Sequence, residues 1–160
     1  MTRAYGWGPT DRRLVEHVPH GHWMTTTFVA ALRSDGLTAP MVVDGPMTGD
    51  HFKAYAEQVL LPELRAGDIV VLDNLACHKV AGVAEMLAAA GASLVFLPPY
   101  SPDLNPIENV FSKVKGEIRL RKPRTKAECD ELCGASLDWF PPGECRRYLA
   151  HAGYAPQQRN

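Results

Sequence analysis

The sequence predicts an α/β fold in which strands alternate with helices. Three observations support this prediction. Residues 24–43 have the pattern of a β-hairpin, residues 69–72 and 94–97 are short continuous apolar runs, and the segments that follow these runs show helical apolar periodicity. Continuous apolar runs are typical of strands that are buried on both faces of a sheet. We therefore expect a mixed sheet flanked by helices, with a parallel portion and an antiparallel hairpin beside it.

Length and composition exclude several other classes of protein. The chain has 160 residues, of which 46% are apolar and 22% are charged, so it is not a disordered, collagen-like or coiled-coil chain. A domain of this size buries about 70% of the surface that its unfolded chain exposes. No apolar stretch is long enough to span a membrane, and no secretory signal is recognisable. We therefore expect a cytoplasmic protein whose four cysteines stay reduced.

The predicted elements follow one another in a simple order. We expect strands over 24–33 and 37–43, a helix from about Thr48 to Leu61, a strand over 69–72, a helix from about Cys77 to Ala90, a strand over 93–97, a helix from Asn105 or Pro106, and one or two helices within 125–150. Residues 1–22 show no clear period and are expected to form a partial strand and a connection. We expect one domain over 1–150 and a tail over 151–160.

Asp73 is the first candidate functional residue. It follows directly on the apolar run 69–72, at the carboxyl end of the predicted strand. Ligands of open α/β sheets bind at this end, and a carboxylate there is held rigidly. The alternative is purely local, because Asp73 or Asn74 could instead cap the next helix or form an Asx-turn.

The second candidate, Glu108, follows an unusual proline-rich loop. Four prolines lie between Pro98 and Pro106, and they restrict the conformations of this loop even in the unfolded chain. A rigid loop could direct Glu108, in the first turn of the next helix, towards the same cleft as Asp73. The alternative is a capping box, in which Asn105 caps the helix and the Glu108 carboxylate folds back onto the Asn105 amide.

Two carboxylates of this kind suit a hard divalent cation. Mg²⁺ usually takes only one or two carboxylates from a protein, and a pair of metal ions can stabilise both the attacking and the leaving oxygen in phosphoryl transfer. Asp73 and Glu108 are therefore candidate ligands for a two-metal site with Mg²⁺ or Mn²⁺. The pair alone is a weak signal, since two acids of this kind are common in α/β proteins.

A basic tract follows Glu108 and indicates a nucleic-acid partner, although the net charge is only −1. The candidate DNA-binding residues are Lys113, Lys115, Arg119, Arg121, Lys122 and Arg124. Helical spacing places Glu108, Ser112, Lys115 and Arg119 on one polar face. A carboxylate at one end of a basic face is suited to cleavage beside a phosphate backbone. The alternative is an ordinary solvated helix face.

The cysteines and His78 give weaker signals. Cys129 and Cys133 are four residues apart on a predicted helix, but their spacing to Cys145 and His151 fits no usual zinc pattern, so we favour small buried thiols. His78 lies one helical turn after Asn74, near the presumed cleft. It could support the site or lie on the surface.

Two stretches, from Val71 to Lys79 and from Leu97 to Glu108, together resemble the bacterial insertion-sequence transposases of the mariner-like superfamily. These proteins carry a DDE endonuclease domain with an RNase H-like fold. The resemblance implies metal-dependent DNA strand cleavage and strand transfer, with Asp73 as the second catalytic acid and Glu108 as the third. The positions that match the family's motifs and would support the site are Asn74, His78, Lys79, Tyr100, Ser101 and Asn105.

The resemblance also implies a first catalytic Asp, on the first strand of the domain. Asp11 lies in a Gly- and Pro-rich connection and Asp35 in a turn, so neither takes this role. We therefore expect the first strand to be missing or incomplete and the first Asp to come from an upstream segment. The implied partners are the DNA of the element ends and target, and a second copy of the chain bound to the same DNA. The alternative is a non-enzymatic DNA-binding remnant of a decayed or frameshifted transposase.

Overall fold

The computed structural model describes residues 6–15 and 25–154. Its strands and longer helices are β1 (Thr26–Leu32), β2 (Leu37–Asp44), α1 (Gly49–Tyr55), β3 (Ile69–Leu72), α2 (Val83–Ala89), β4 (Ser93–Phe96), α3 (Ile107–Arg121), α4 (Lys126–Ala135) and α5 (Pro142–His151). The predicted alternation of strands and helices is therefore confirmed. Within these ranges, no helix is long and apolar enough to cross a bilayer.

The predicted hairpin is present and carries an irregularity at Pro40. β1 and β2 pair antiparallel, from Thr26 opposite Asp44 to Leu32 opposite Leu37, and the register shifts between Val29 and Ala31. Pro40 has no N–H for the ladder, and it lies in a bulge of β2 in which Ala39 and Pro40 together face Ala30 of β1. The residue before it, Ala39, has a positive φ of 51°.

The prediction of one mixed sheet is not met by the described residues. β3 and β4 form the expected parallel pair, with Ile69 opposite Ser93 and Leu72 opposite Phe96. This pair and the hairpin are two separate two-stranded sheets, and no ladder joins them in the part of the chain that the structure describes. Among the described residues, β3 thus has a hydrogen-bonded neighbour on one side only.

One hydrophobic core connects the two sheets through α1 and α2. Its buried centre is formed by Ala39, Phe52, Tyr55, Ala56, Leu60, Val83 and Leu87, and Val70, Leu72 and Leu94 of the parallel pair pack against it. The expectation that 69–72 and 93–97 are buried on both faces is wrong. Ile69 is 66% exposed and Val95 is 46% exposed, because no described element covers the outer face of these strands.

A second core lies on the other face of the hairpin. Phe28, Leu32 and Val42 point towards α3, α4 and α5, whose buried residues include Val110, Val114 and Cys145. The rings of Phe28 and Phe111 meet edge to face, with centroids 6.2 Å apart. The hairpin therefore holds α3, and with it Glu108, in a fixed position relative to α1.

One helix agrees with its predicted bounds, and another begins later than predicted. The helix predicted from Thr48 to Leu61 is α1, which Thr48 caps as expected, followed by a π-helical segment, Ala56–Leu60. The helix predicted from Cys77 begins only at Val83, because Gly82 has a left-handed conformation with a φ of 87° and interrupts the helical path. Gly91 ends this helix region with a φ of 78°, as predicted. α5 ends at His151.

Candidate metal and nucleic-acid site

The parallel ladder aligns the two segments that lead to the candidate acids. β3 ends at Leu72 and is followed directly by Asp73. Pairing continues one residue beyond β4, because the Leu97 N–H donates to the Leu72 carbonyl at 2.8 Å. The proline-rich loop therefore leaves the sheet next to Asp73, at the shared carboxyl edge of both strands.

The Asp73 carboxylate makes two contacts through the same oxygen. The Leu75 N–H donates to Asp73 Oδ1 at 3.3 Å, which is the Asx-turn anticipated as the local alternative. His78 Nδ1 lies 2.6 Å from the same Oδ1. Both contacts leave Oδ2 available, and the side chain keeps 35% of its surface exposed. The turn therefore orients Asp73 and leaves its second carboxylate oxygen, Oδ2, available to bind a ligand.

His78 is held against the first core and does not lie on the open surface. Its ring packs on the Phe52 ring, with centroids 4.5 Å apart, and its side chain is only 19% exposed. The close contact with Asp73 does not have the direction of a hydrogen bond, and Nδ1 has no hydrogen-bond partner among the described residues. The contribution of Phe52 was not predicted, because the helical pattern around it indicates only that it is apolar and faces inwards.

The loop between β4 and α3 has an ordered turn and one strained residue. Tyr100 has a φ of 57°, which is unfavourable for a residue with a bulky side chain, and this side chain is fully exposed. The Ser101 hydroxyl donates to the Pro99 carbonyl at 3.3 Å, and the Tyr154 hydroxyl donates to the Leu104 carbonyl at 3.0 Å. The C-terminal end of the described chain therefore tethers this loop.

Glu108 is free of the capping role that its spacing allows. α3 begins at Ile107, and no side-chain hydrogen bond caps it. The Asn105 N–H, which a capping box would pair with the Glu108 carboxylate, donates instead to the Pro102 carbonyl at 3.0 Å. The predicted alternative of a capping box is therefore wrong. The Glu108 side chain is exposed in the first turn of α3.

The donors present are hard carboxylate oxygens, as Mg²⁺ requires, but they form an incomplete set. Among the described residues, no group of three or more His, Cys, Asp or Glu side chains could hold a metal ion. Asp73 and Glu108 correspond in number to the one or two carboxylates that Mg²⁺ commonly takes from a protein, with water and substrate phosphate completing its shell. The chemistry of these two residues thus fits a divalent cation.

Lys113 differs from the other residues of the basic tract. Its ammonium group donates to both carboxylate oxygens of Glu144 at 2.9 Å and to the Trp139 carbonyl at 2.8 Å, and it lies 4.7 Å from the centre of the Phe140 ring. Hydrogen bonds from Tyr148 and Lys113 lower the pKa of Glu144. Lys113 thus joins α3 to α5.

The remaining basic residues lie along the exposed side and end of α3. Lys115 and Arg119 are exposed, as are Glu108 and Ser112 at the preceding helical steps, so the predicted polar face is present. Arg121 lies 3.5 Å from a Glu117 oxygen and 5.0 Å from the centre of the Trp139 ring. Lys122 ends the helix with a φ of 52°, and Arg124 is exposed in the connection to α4.

The other supporting positions lie in the segments that follow the two strand ends. Asn74 is half-buried directly after Asp73, and Lys79 is exposed at the end of the short turn that holds His78. Asn105 is half-buried, and its N–H closes the turn before α3. The structure thus brings the two motif stretches to one edge of the parallel sheet.

Comparison with protein families identifies the class of this domain. A model of the DDE superfamily endonuclease family matches residues 1–130, which cover both candidate acids and the basic tract. The mixed α/β architecture is compatible with such a nuclease fold. A search of curated proteins found no match.

Proposed function

Because the chain belongs to the DDE superfamily endonuclease family, we propose that it is the catalytic-domain portion of a bacterial insertion-sequence transposase of the mariner-like superfamily. It cleaves DNA at the ends of its element and joins those ends to target DNA. The observation that supports this most is the Glu108 carboxylate, which has no capping role and follows a loop that leaves the sheet beside Asp73. An enzyme of this kind acts in the bacterial cytoplasm, on the DNA of the nucleoid.

Asp73 and Glu108 are proposed as the second and third catalytic acids and as metal ligands. Enzymes of the DDE superfamily generally use divalent metals such as Mg²⁺. When bound, Mg²⁺ or Mn²⁺ stabilises charge on the attacking and leaving oxygens of phosphoryl transfer. The protein's own contribution is positioning. Asp73 is fixed by its turn at the end of β3, and Glu108 is carried on the first turn of α3.

The exposed basic face of α3 is proposed as the track for the DNA backbone. Lys115 and Arg119 lie on the same side of the helix as Glu108, so phosphates that they bind would lead to the metal site. Arg121, Lys122 and Arg124 would extend this track beyond the helix end. Lys113 belongs to the contact between α3 and α5, and we leave it out of the DNA-contact set.

The free edge of β3 supports the need for a further segment. In the described residues β3 pairs only with β4, and the hairpin is a separate sheet. An added strand beside β3 would satisfy its unpaired backbone groups and could join both sheets into the single sheet of an RNase H-like fold. We propose that an upstream transposase segment supplies this strand and the first catalytic Asp. A second copy of the chain is proposed to bind the same DNA complex.

A non-enzymatic DNA-binding remnant is the second candidate function. It is favoured by one observation, that the described residues contain no group of three metal-binding side chains. Such a remnant would keep the basic face of α3 and bind DNA without cleaving it.

Nicking of supercoiled DNA in Mg²⁺ or Mn²⁺ distinguishes the two candidates. The 160-residue chain alone should not nick efficiently, whereas the chain supplied with its upstream segment should. Asp73→Asn and Glu108→Gln should then abolish nicking, and Glu57→Gln, on an exposed position of the π-helical segment, should not. Absence of nicking with the upstream segment present would favour the remnant. Efficient nicking by the chain alone that depends on Asp73 would overturn the requirement for that segment.

A further inference from the structure

We infer that His78 is a positioning residue that holds Asp73 Oδ1 and thereby directs Oδ2 to the metal ion. This inference rests on the proposed function, since it concerns how the proposed ligand Asp73 is oriented. The family resemblance marks His78 only as a supporting position, without a partner or a contact.

Two contacts on one oxygen define the orientation of the Asp73 carboxylate. His78 Nδ1 lies 2.6 Å from Oδ1, and the Leu75 N–H donates to the same atom at 3.3 Å. A free aspartate rotates about both of its side-chain bonds, and this freedom must be lost when it binds a cation. Contacts that fix Oδ1 before the metal arrives reduce that loss and leave Oδ2 for coordination.

His78 can hold Asp73 because its own ring is held by packing against the hydrophobic core. Its ring packs on Phe52 at a centroid distance of 4.5 Å, and Phe52 is 2% exposed in the first core. Its backbone N–H donates to the Leu75 carbonyl at 3.1 Å, which closes the turn Ala76–His78. The orientation of Asp73 is therefore transmitted from α1 through an aromatic contact.

The positioning role also requires one particular tautomer of His78. A lone pair on Nδ1 facing a carboxylate oxygen at 2.6 Å would be repulsive, so His78 can hold Asp73 only with its hydrogen on Nδ1. The tautomer is measurable without any metal ion.

Substitutions at His78 can separate positioning from simple packing. In Asn the side-chain amide nitrogen occupies the δ position, as Nδ1 does in His, whereas in Gln it lies one atom further out. His78→Asn should therefore retain the contact with Asp73, and His78→Gln and His78→Ala should lose it. His51→Ala is the matched control, because His51 is exposed on α1 and its ring is directed to the Pro46 carbonyl at 3.3 Å.

The experiment measures Mn²⁺ affinity by electron paramagnetic resonance of the free ion, with Asp73→Asn defining the site. Partners that orient a metal ligand typically affect affinity by about 10–100-fold. We expect His78→Ala and His78→Gln to weaken Mn²⁺ binding by about tenfold or more. His78→Asn should stay within a few-fold of the unsubstituted chain, and His51→Ala should not change it. Nitrogen NMR of the unsubstituted chain should show the Nδ1–H tautomer at His78.

The contrary outcomes are distinguishable. Equal Mn²⁺ affinity in the Asn and Gln variants, or an Nε2–H tautomer, would overturn the positioning role while leaving the metal site in place. Binding of Mn²⁺ that does not depend on Asp73 would overturn the proposed metal site, and this inference with it. Circular dichroism identifies any variant that fails to fold, and the Asn and Gln pair is chosen because both carry the same amide group and differ only by one methylene.

Discussion

At the scale of single residues, Glu108 shows how far a local capping rule predicts the hydrogen bonds at the start of a helix. Asn105, Pro106 and Glu108 have the spacing of a capping box. The structure departs from that prediction because the turn Pro102–Leu104 already uses the Asn105 N–H. The rule describes which bond is possible, but the preceding turn determines which bond forms. Glu108 is thereby left available for a ligand.

Tyr100 gives a prediction about stability. Its left-handed backbone conformation, with a φ of 57°, costs about 1 kcal/mol for a residue with a Cβ, and Asn tolerates this region better. Since the side chain is fully exposed, little packing is lost on substitution. Tyr100→Asn should raise the free energy of unfolding in urea by about 0.5–1 kcal/mol, whereas Tyr100→Phe should leave it unchanged. A loss of stability in Tyr100→Asn would mean that the ring makes a contact that the structure does not have.

At the scale of elements, apolar spacing predicts helices well and their ends less well. α3 has the predicted stripe, with Val110, Val114 and Ile118 buried. The helix predicted from Cys77 fails at its start, because nothing in the apolar pattern reveals that Gly82 adopts a left-handed conformation. Likewise, the sequence marks Lys113 only as one cation in a basic tract. Lys113 pairs with Glu144 because α5 packs against α3. This packing cannot be predicted from the spacing of residues along the chain.

The contact between α3 and α5 should depend on pH in a defined direction. Because Tyr148 and Lys113 lower the pKa of Glu144, its stabilising contribution is complete above the unfolded-state pKa of about 4.3. It is lost as the pH falls from there through the lower folded-state pKa. Glu144→Gln should destabilise the chain at pH 7 by about 1 kcal/mol.

The measurement is the difference in urea unfolding free energy between the unsubstituted chain and Glu144→Gln, followed with pH. This difference should stay constant from pH 7 to about pH 5 and shrink in more acidic solution. Glu131→Gln, at an exposed position on α4, is the control and should show no such trend. A difference that grows below pH 4 would contradict the assignment of the lowered pKa to this contact.

The basic face of α3 should determine the salt dependence of DNA binding. Each phosphate contact contributes about 0.9 to the slope of log affinity against log salt on duplex DNA. Replacing Lys115 and Arg119 together by Ala should therefore flatten the slope by about two, equally on two unrelated duplexes, because backbone contacts read no sequence. Arg146 and Arg147, exposed on α5, provide a double-Ala control of equal charge. An unchanged slope in the α3 variant would mean that Lys115 and Arg119 are solvated and do not contact the DNA backbone.

At the scale of the whole molecule, the sequence predicts more burial than the structure shows. The apolar character of 69–72 and 93–97 predicts strands that are buried on both faces. In the described part of the chain, however, the side chains of Ile69 and Val95 are largely exposed. The alternation of elements and the parallel pairing were predictable because they depend on local periodicity and connection length. The separation into two sheets was not, because it depends on which strand lies beside β3. The upstream segment that we propose would cover the apolar face and the strand edge that the described residues leave open.

The central claim is that Asp73 and Glu108 belong to one metal site, and iron-directed cleavage of the chain tests it most directly. Fe²⁺ in place of Mg²⁺, with ascorbate and peroxide, produces radicals that cut the backbone close to the bound ion. We expect two groups of cuts, around Asp73 and around Glu108, that Mg²⁺ suppresses and that disappear together in Asp73→Asn. Cuts near only one of these residues, or cuts near Glu108 that persist in Asp73→Asn, would contradict a shared site.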